Sequence, residues 1–172
     1  LAVVSLDTIH LRSGLPVEVD VTIRFTQGAL DTISTVDGLA LRITYDTTLL
    51  AFMEAVPGPA ITGWDYFTWR HSGSQCPPCV EPRTISIHAS KDLGLESEPF
   101  EPKPLPSGIL TRLRFIPLYS QLTGDTCLPF RFYSNVLGAN SFTCGNEAAL
   151  IPYSTSNGVD FGPNYDTSKC GV

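Results

Sequence analysis

From Val17 to Phe25 the apolar residues Val17, Val19, Val21, Ile23 and Phe25 alternate with Glu18, Asp20, Thr22 and Arg24. A period of two puts one side of an extended chain in a core and the other in water. Leu39, Leu41, Ile43 and Tyr45 alternate in the same way with Ala40, Arg42 and Thr44, and the rhythm returns in Ile85, Ile87, Ala89 and in Ile109, Leu113, Phe115. Shorter extended segments are predicted over residues 2–6, 50–56, 65–70, 127–133, 149–153 and 158–161, each bounded by Gly, Pro, Asn or Ser. No long stretch keeps a helical stripe, and residues 46–50 suggest one short turn. About ten short strands with turn signals between them predict an all-β fold, a two-sheet antiparallel β-sandwich with jelly-roll topology.

Residues 96–106 hold Pro99, Pro102, Pro104 and Pro106, which forbid a central strand and predict an extended surface loop. In residues 65–70, alternation sets Phe67 and Trp69 on one side and Tyr66, Thr68 and Arg70 on the other; large aromatics favour Phe67 and Trp69 as the core set.

The chain has 172 residues, 42% of them apolar, which suits a single domain over residues 1–172 with one core. Eleven basic against seventeen acidic side chains give a net charge of -6, which opposes nucleic acid and anionic lipid as partners. No apolar run approaches the roughly 18 residues of a membrane helix, so no membrane insertion is expected. Leu1 reads as the start of a processed or excised segment. Only 16% of residues are charged, against about 25% in ordinary domains. The surface is therefore expected to carry Ser, Thr, Asn, Gly and some exposed apolar groups, part of which suits a contact site.

Five cysteines read as an exported, oxidised protein, extracellular or at the cell surface. Cys76 and Cys79 form a CxxC whose two internal prolines oppose the helix a redox thiolate needs, so a structural bridge is the better reading. Cys127 and Cys144, flanking an expected hairpin, read as a disulfide, with Cys170 as the odd thiol or a tie for the C-terminus. A tetrathiolate zinc site lacks a second close pair. Sequence leaves about fifteen two-bridge patterns open.

His10, His71 and His88 stand apart, with no HExxH and no GxSxG elbow, so hydrolase chemistry has no anchor and no catalytic residue is assigned. Glu96 and Glu98 lie in the proline-rich stretch and read as solvated acids rather than a glycosidase pair. Asp160, Asn164 and Asp166 offer oxygens to calcium, but their order does not match the calcium loop. No cofactor is therefore expected, calcium being the one alternative. Trp64, Tyr66 and Trp69 form an aromatic group able to stack on sugar faces, which supplies a carbohydrate-binding alternative.

One ordered set of motifs goes further. The run from Asp37 to Leu50, DGLALRITYDTTLL, followed by Val56, Pro57 and Gly58, resembles the third strand and following turn of cohesin domains. The run SGILTRLRF from Ser107 to Phe115 is similar to a later cohesin strand that opens on Gly and closes on Phe. Residues 1–25 resemble the first cohesin strands, and Asn157, Gly158 and Val159 the closing turn. The resemblance implies a nine-stranded jelly-roll sandwich without catalytic activity that binds dockerin modules through the outer surface of one sheet. It implies as partner-binding residues Arg42, Thr44, Thr68, Arg70, Ser86 and His88. The cysteines, the long 72–82 loop and the proline-rich stretch depart from the pattern. The function expected is an extracellular protein-protein interaction and assembly module, its partner a dockerin-like module or copies of itself. The alternative is polysaccharide binding through the exposed aromatics.

Overall fold

The computed structural model describes residues 2–6, 15–25, 36–72, 83–91, 105–118, 130–133, 140–144, 148–150, 153–155 and 158–160. Its strands run β1 (Ala2–Leu6), β2 (Val17–Phe25), β3 (Val36–Thr44), β4 (Leu50–Pro57), β5 (Tyr66–Ser72), β6 (Thr84–Ser90), β7 (Gly108–Pro117), β8 (Arg131–Phe132), β9 (Ser141–Cys144), β10 (Ala148–Leu150), β11 (Tyr153–Thr155) and β12 (Gly158–Asp160). One sheet has the order β1-β2-β7-β4. The other has the order β10-β9-β3-β6-β5, with β8 also on β3, and β11 pairs β12. Every pairing among the described strands is antiparallel.

The period-two segments become the centres of the two sheets because each offers a clean apolar side. Val17, Val19, Val21, Ile23, Leu113 and Phe115 from the first sheet meet Leu39, Leu41, Ile43, Ile85, Ile87 and Ala89 from the second in one buried cluster. Each fully buried aliphatic or aromatic side chain contributes about 1.5–3 kcal/mol relative to exposure. Toward one end the core turns aromatic: the Phe115 ring lies 5.0 Å from Tyr45, 5.3 Å from Phe130 and 5.5 Å from Phe52, with the edge-to-face tilt such rings favour.

The turn expected over residues 46–50 forms: the Leu49 and Leu50 N–H groups donate to the Asp46 carbonyl. The Thr48 N–H and hydroxyl both donate to Asp46 Oδ1, at 2.8 and 2.6 Å, and these bonds hold the Asp46 carboxyl below its ordinary pKa. That turn carries the chain from the second sheet to the first. The return runs through Gly58 and a short 3-10 turn (Pro59–Ile61). Gly58 donates its N–H to the Leu110 carbonyl at 2.8 Å, and a Cβ there would lie 2.1 Å from the Ile109 oxygen, so only glycine fits.

Several expectations need correction. The segment flanked by Cys127 and Cys144 is no hairpin, since β8 and β9 each pair with β3. β9 has too short a run to show a period, and its sequence signalled no strand. The single strand expected over residues 149–153 is two strands in different sheets, β10 and β11. Twelve strands are described where nine were implied, the surplus being short pieces near the C-terminus and the split of one edge into β8 and β9. In the proline-rich stretch Leu105 is 1% exposed and joins the core, so its end is anchored; residues 96–104 lie outside the described set.

Candidate functional site

The register of β3, β6 and β5 sorts their outward side chains into rows. Ala40, His88 and Thr68 form one row, Arg42, Ser86 and Arg70 the next, and Thr44, Thr84 and Ser72 the third; Gly38, Ser90 and Tyr66 precede them. All six residues singled out by the resemblance, Arg42, Thr44, Thr68, Arg70, Ser86 and His88, therefore share one face in three adjacent rows. Alternation fixes this, because Leu39, Leu41, Ile43, Ile85, Ile87 and Ala89 are buried and their neighbours must point outward.

The floor of the face is made of small residues. Ser86 and Thr84 are buried at the centre, and the Ser72 and Thr84 hydroxyls share a 2.6 Å hydrogen bond. The Thr44 hydroxyl donates to the Arg131 carbonyl at 3.2 Å, which places exposed Arg131 at the border of the same face. Arg42 and Arg70 flank Ser86 two strand spacings apart, roughly 10 Å between Cα atoms. Neither guanidinium meets a carboxylate among the described residues.

His88 reports the local field. Packing around its imidazole, and then the charges of Arg42 on β3 and Arg70 on β5, hold its pKa below the ordinary value of 6.5. The described outward side chains of β3, β5, β6 and β8 include no acid to oppose this.

The edge of the face beside Arg42 is closed by a side chain. β8 pairs β3 at Ile43 and Thr44, β9 pairs it from Val36 to Ala40, and between them the Arg42 N–H donates to Asn140 Oδ1 at 2.8 Å. Asn140 Nδ2 donates to the Tyr133 carbonyl, and the Tyr133 N–H donates to the Arg42 carbonyl, both at 2.8 Å. Asn140 is 3% exposed and stands in for missing backbone. Sequence reading passed over both Asn140 and Arg131; the two-residue β8 gives no periodicity by which to place either.

The opposite outer face is different. Arg112 donates to Asp20 through Nε at 2.6 Å and Nη2 at 2.9 Å and lies 3.4 Å from Glu18. Arg114 bonds Glu18 at 2.9 Å and Glu54 at 2.7 Å. Beyond this ladder the same sheet exposes Met53 and Ile116, each at 45%.

Among the aromatic candidates, Tyr66 is 42% exposed on the outer face, whereas Trp69 projects from the other side of β5 and packs edge-on to Phe52 at 5.1 Å. Trp64 and Phe67 also pack against the core. The two indoles and the Tyr66 ring thus form no common platform. The Tyr45 hydroxyl and His71 Nε2 share a 2.9 Å hydrogen bond; burial, then the nearby Arg83 charge, lowers the His71 pKa, and burial raises that of Tyr45.

No group of three His, Cys, Asp or Glu side chains able to hold a metal occurs among the described residues. Cys76, Cys79, Cys127, Cys170, His10, Glu96, Glu98, Asn164 and Asp166 lie outside them, and Cys144 and Asp160 are described only as backbone of β9 and β12. No described helix is long and apolar enough to cross a membrane.

No protein-family profile and no curated protein matches the sequence. Solved structures do match in shape. A type I cohesin-dockerin complex containing the OlpA cohesin of Clostridium thermocellum matches at TM-score 0.59 and 13% identity, over 86% of this chain and 89% of that one. The sixth cohesin of Acetivibrio cellulolyticus scaffoldin B, solved with a Cel5 dockerin, matches at TM-score 0.57 and 14% identity, over 91% and 95%. The third ScaC cohesin of Acetivibrio cellulolyticus, solved with the ScaB dockerin, matches at TM-score 0.56 and 14% identity, over 81% and 82%. At these identities the likeness is one of fold, and the described strands form a cohesin-like β-sandwich.

Proposed function

We propose that this domain is a protein-docking module without chemistry of its own, and that a dockerin-like partner seats on the outer face of β3, β6 and β5. The observation that carries this reading is the gathering of Arg42, Thr44, Thr68, Arg70, Ser86 and His88 into three adjacent rows of one sheet face. Small side chains between the arginines let a partner approach closely, and exposed Tyr66 with Arg42 and Arg70 supplies residue types enriched at binding hot spots. The cohesin fold supports a dockerin-like partner, since the similar structures were solved with dockerins bound. The five cysteines support an exported setting.

The test is calorimetric titration with a panel of purified dockerin modules, together with sedimentation of the domain alone. At least one module is expected to bind. Thr68→Trp, which raises an indole from the middle of the face without entering the core, is expected to weaken that binding at least about tenfold. Binding that survives Thr68→Trp removes the face from the proposal, and silence across the panel removes the dockerin-like partner. Reversible dimers lost in Thr68→Trp would make a second copy the partner.

A further inference from the structure

We infer that the docking face recognises an acidic segment of its protein partner, Arg42 and Arg70 closing on carboxylates above Ser86. The inference rests on the docking reading and specifies the chemistry of the partner.

The first support is a contrast in pairing. The chain has more carboxylates than cations, seventeen against eleven, yet Arg42 and Arg70 face none among the described residues. On the other outer face Arg112 and Arg114 are both saturated by Asp20, Glu18 and Glu54.

Geometry supplies the second support. Register sets the two arginines on either side of Ser86, and both side chains are long enough to lean over it. A guanidinium offers paired N–H donors matched to a carboxylate. Among the described residues the floor beside the two arginines is made of small side chains, Ala40, Thr68, Ser86 and Thr84. Arg131 extends the positive surface at the β8 side, and His88 stands in the row next to Arg42 and Arg70. The net charge of -6 disfavours a long polyanion at a distance, where the whole molecule is felt. Within a Debye length, about 8 Å at physiological salt, the local cations dominate.

The probe is a short alanine-based helical peptide with glutamates along one side, compared with a twin carrying glutamine at the same positions. Both are titrated into isotope-labelled domain while the Arg42 and Arg70 Nε–H signals and the Ser86 and His88 amides are followed by NMR. The glutamate peptide is expected to move these signals and to bind about tenfold more weakly to Arg42→Ala/Arg70→Ala. Arg114→Gln, on the opposite face, is expected to leave its affinity unchanged. Equal shifts with the glutamine twin, or shifts confined to β2 and β7, overturn the inference. So do the same shifts on adding inorganic phosphate at equal concentration, or on concentrating the domain alone. If Thr68→Trp abolishes dockerin binding while the double arginine variant leaves it intact, the docking face stands and acid recognition falls.

Discussion

On the outer side of β2 and β7, Glu18 lies opposite Arg114 and Asp20 opposite Arg112; on the outer side of β3, β6 and β5, Arg42 and Arg70 lie opposite Ser86. Both faces come from the same alternation of apolar and polar residues, and both carry two central arginines. The difference is register. Where strands align acid with base, the surface neutralises itself and spends its charge internally. Where they align arginine with serine, two cations keep no carboxylate partner among the described residues. Net charge conceals this, because a molecule of -6 still presents one face on which the described charged side chains are all basic.

The broadest way to break the contrast is to remove what both faces share. Phe115 is fully buried between the sheets and touches Tyr45, Phe52 and Phe130. Phe115→Ala is expected to cost about 3–5 kcal/mol in urea unfolding. A loss below about 1 kcal/mol would mean the sheets do not depend on a common core.

Asn140→Ala acts on one face only. It leaves the Arg42 N–H and the Tyr133 carbonyl without their side-chain partner, an expected cost of about 2–3 kcal/mol. Amide exchange should accelerate at Arg42 and stay unchanged at Arg112 and Arg114. Acceleration on both faces would refute a local splice.

Acidification separates the faces next. His71 and His88 both titrate below their ordinary value in the fold, so the unfolded chain binds protons the folded chain resists. Their stability contribution is present above the unfolded value near 6.5 and is lost as pH falls through the folded values. The melting temperature is expected to drop between about pH 7 and pH 5, and the drop to shrink in His71→Gln/His88→Gln. As pH falls through the lowered folded value of His88, its proton adds a positive charge beside Arg42 and Arg70, so affinity for the glutamate peptide should rise. Constant affinity would detach His88 from the site.

The smallest effect belongs to the ladder. Arg114→Gln should lower the melting temperature slightly at low salt, with the difference vanishing near 1 M salt, where the Debye length is about 3 Å. A large, salt-independent loss would show that this face is more than self-neutralised surface.

Much of the sandwich could be read from sequence, because Val17 to Phe25 and Leu39 to Tyr45 show a different chemistry on each side. The same parity placed Phe67 and Trp69 in the core and Thr68 and Arg70 outside, as observed. What escaped was whatever depends on a partner strand. Arg42 reads as an ordinary polar position until register shows Ser86, not a carboxylate, beside it. β8 and β9 are too short to carry a period, and Asn140 acts through a side-chain bridge that no local pattern announces. The carbohydrate alternative had a similar weakness, since Trp64, Tyr66 and Trp69 are close in sequence while parity divides Tyr66 from Trp69.

The Asn140 bridge also gives this fold a tolerance at one point of its edge. Strand alignment along β3 is completed on either side of Arg42 by fixed atoms, Tyr133 on one side and the Asn140 amide on the other. How many residues the chain spends between them is therefore decoupled from the alignment itself.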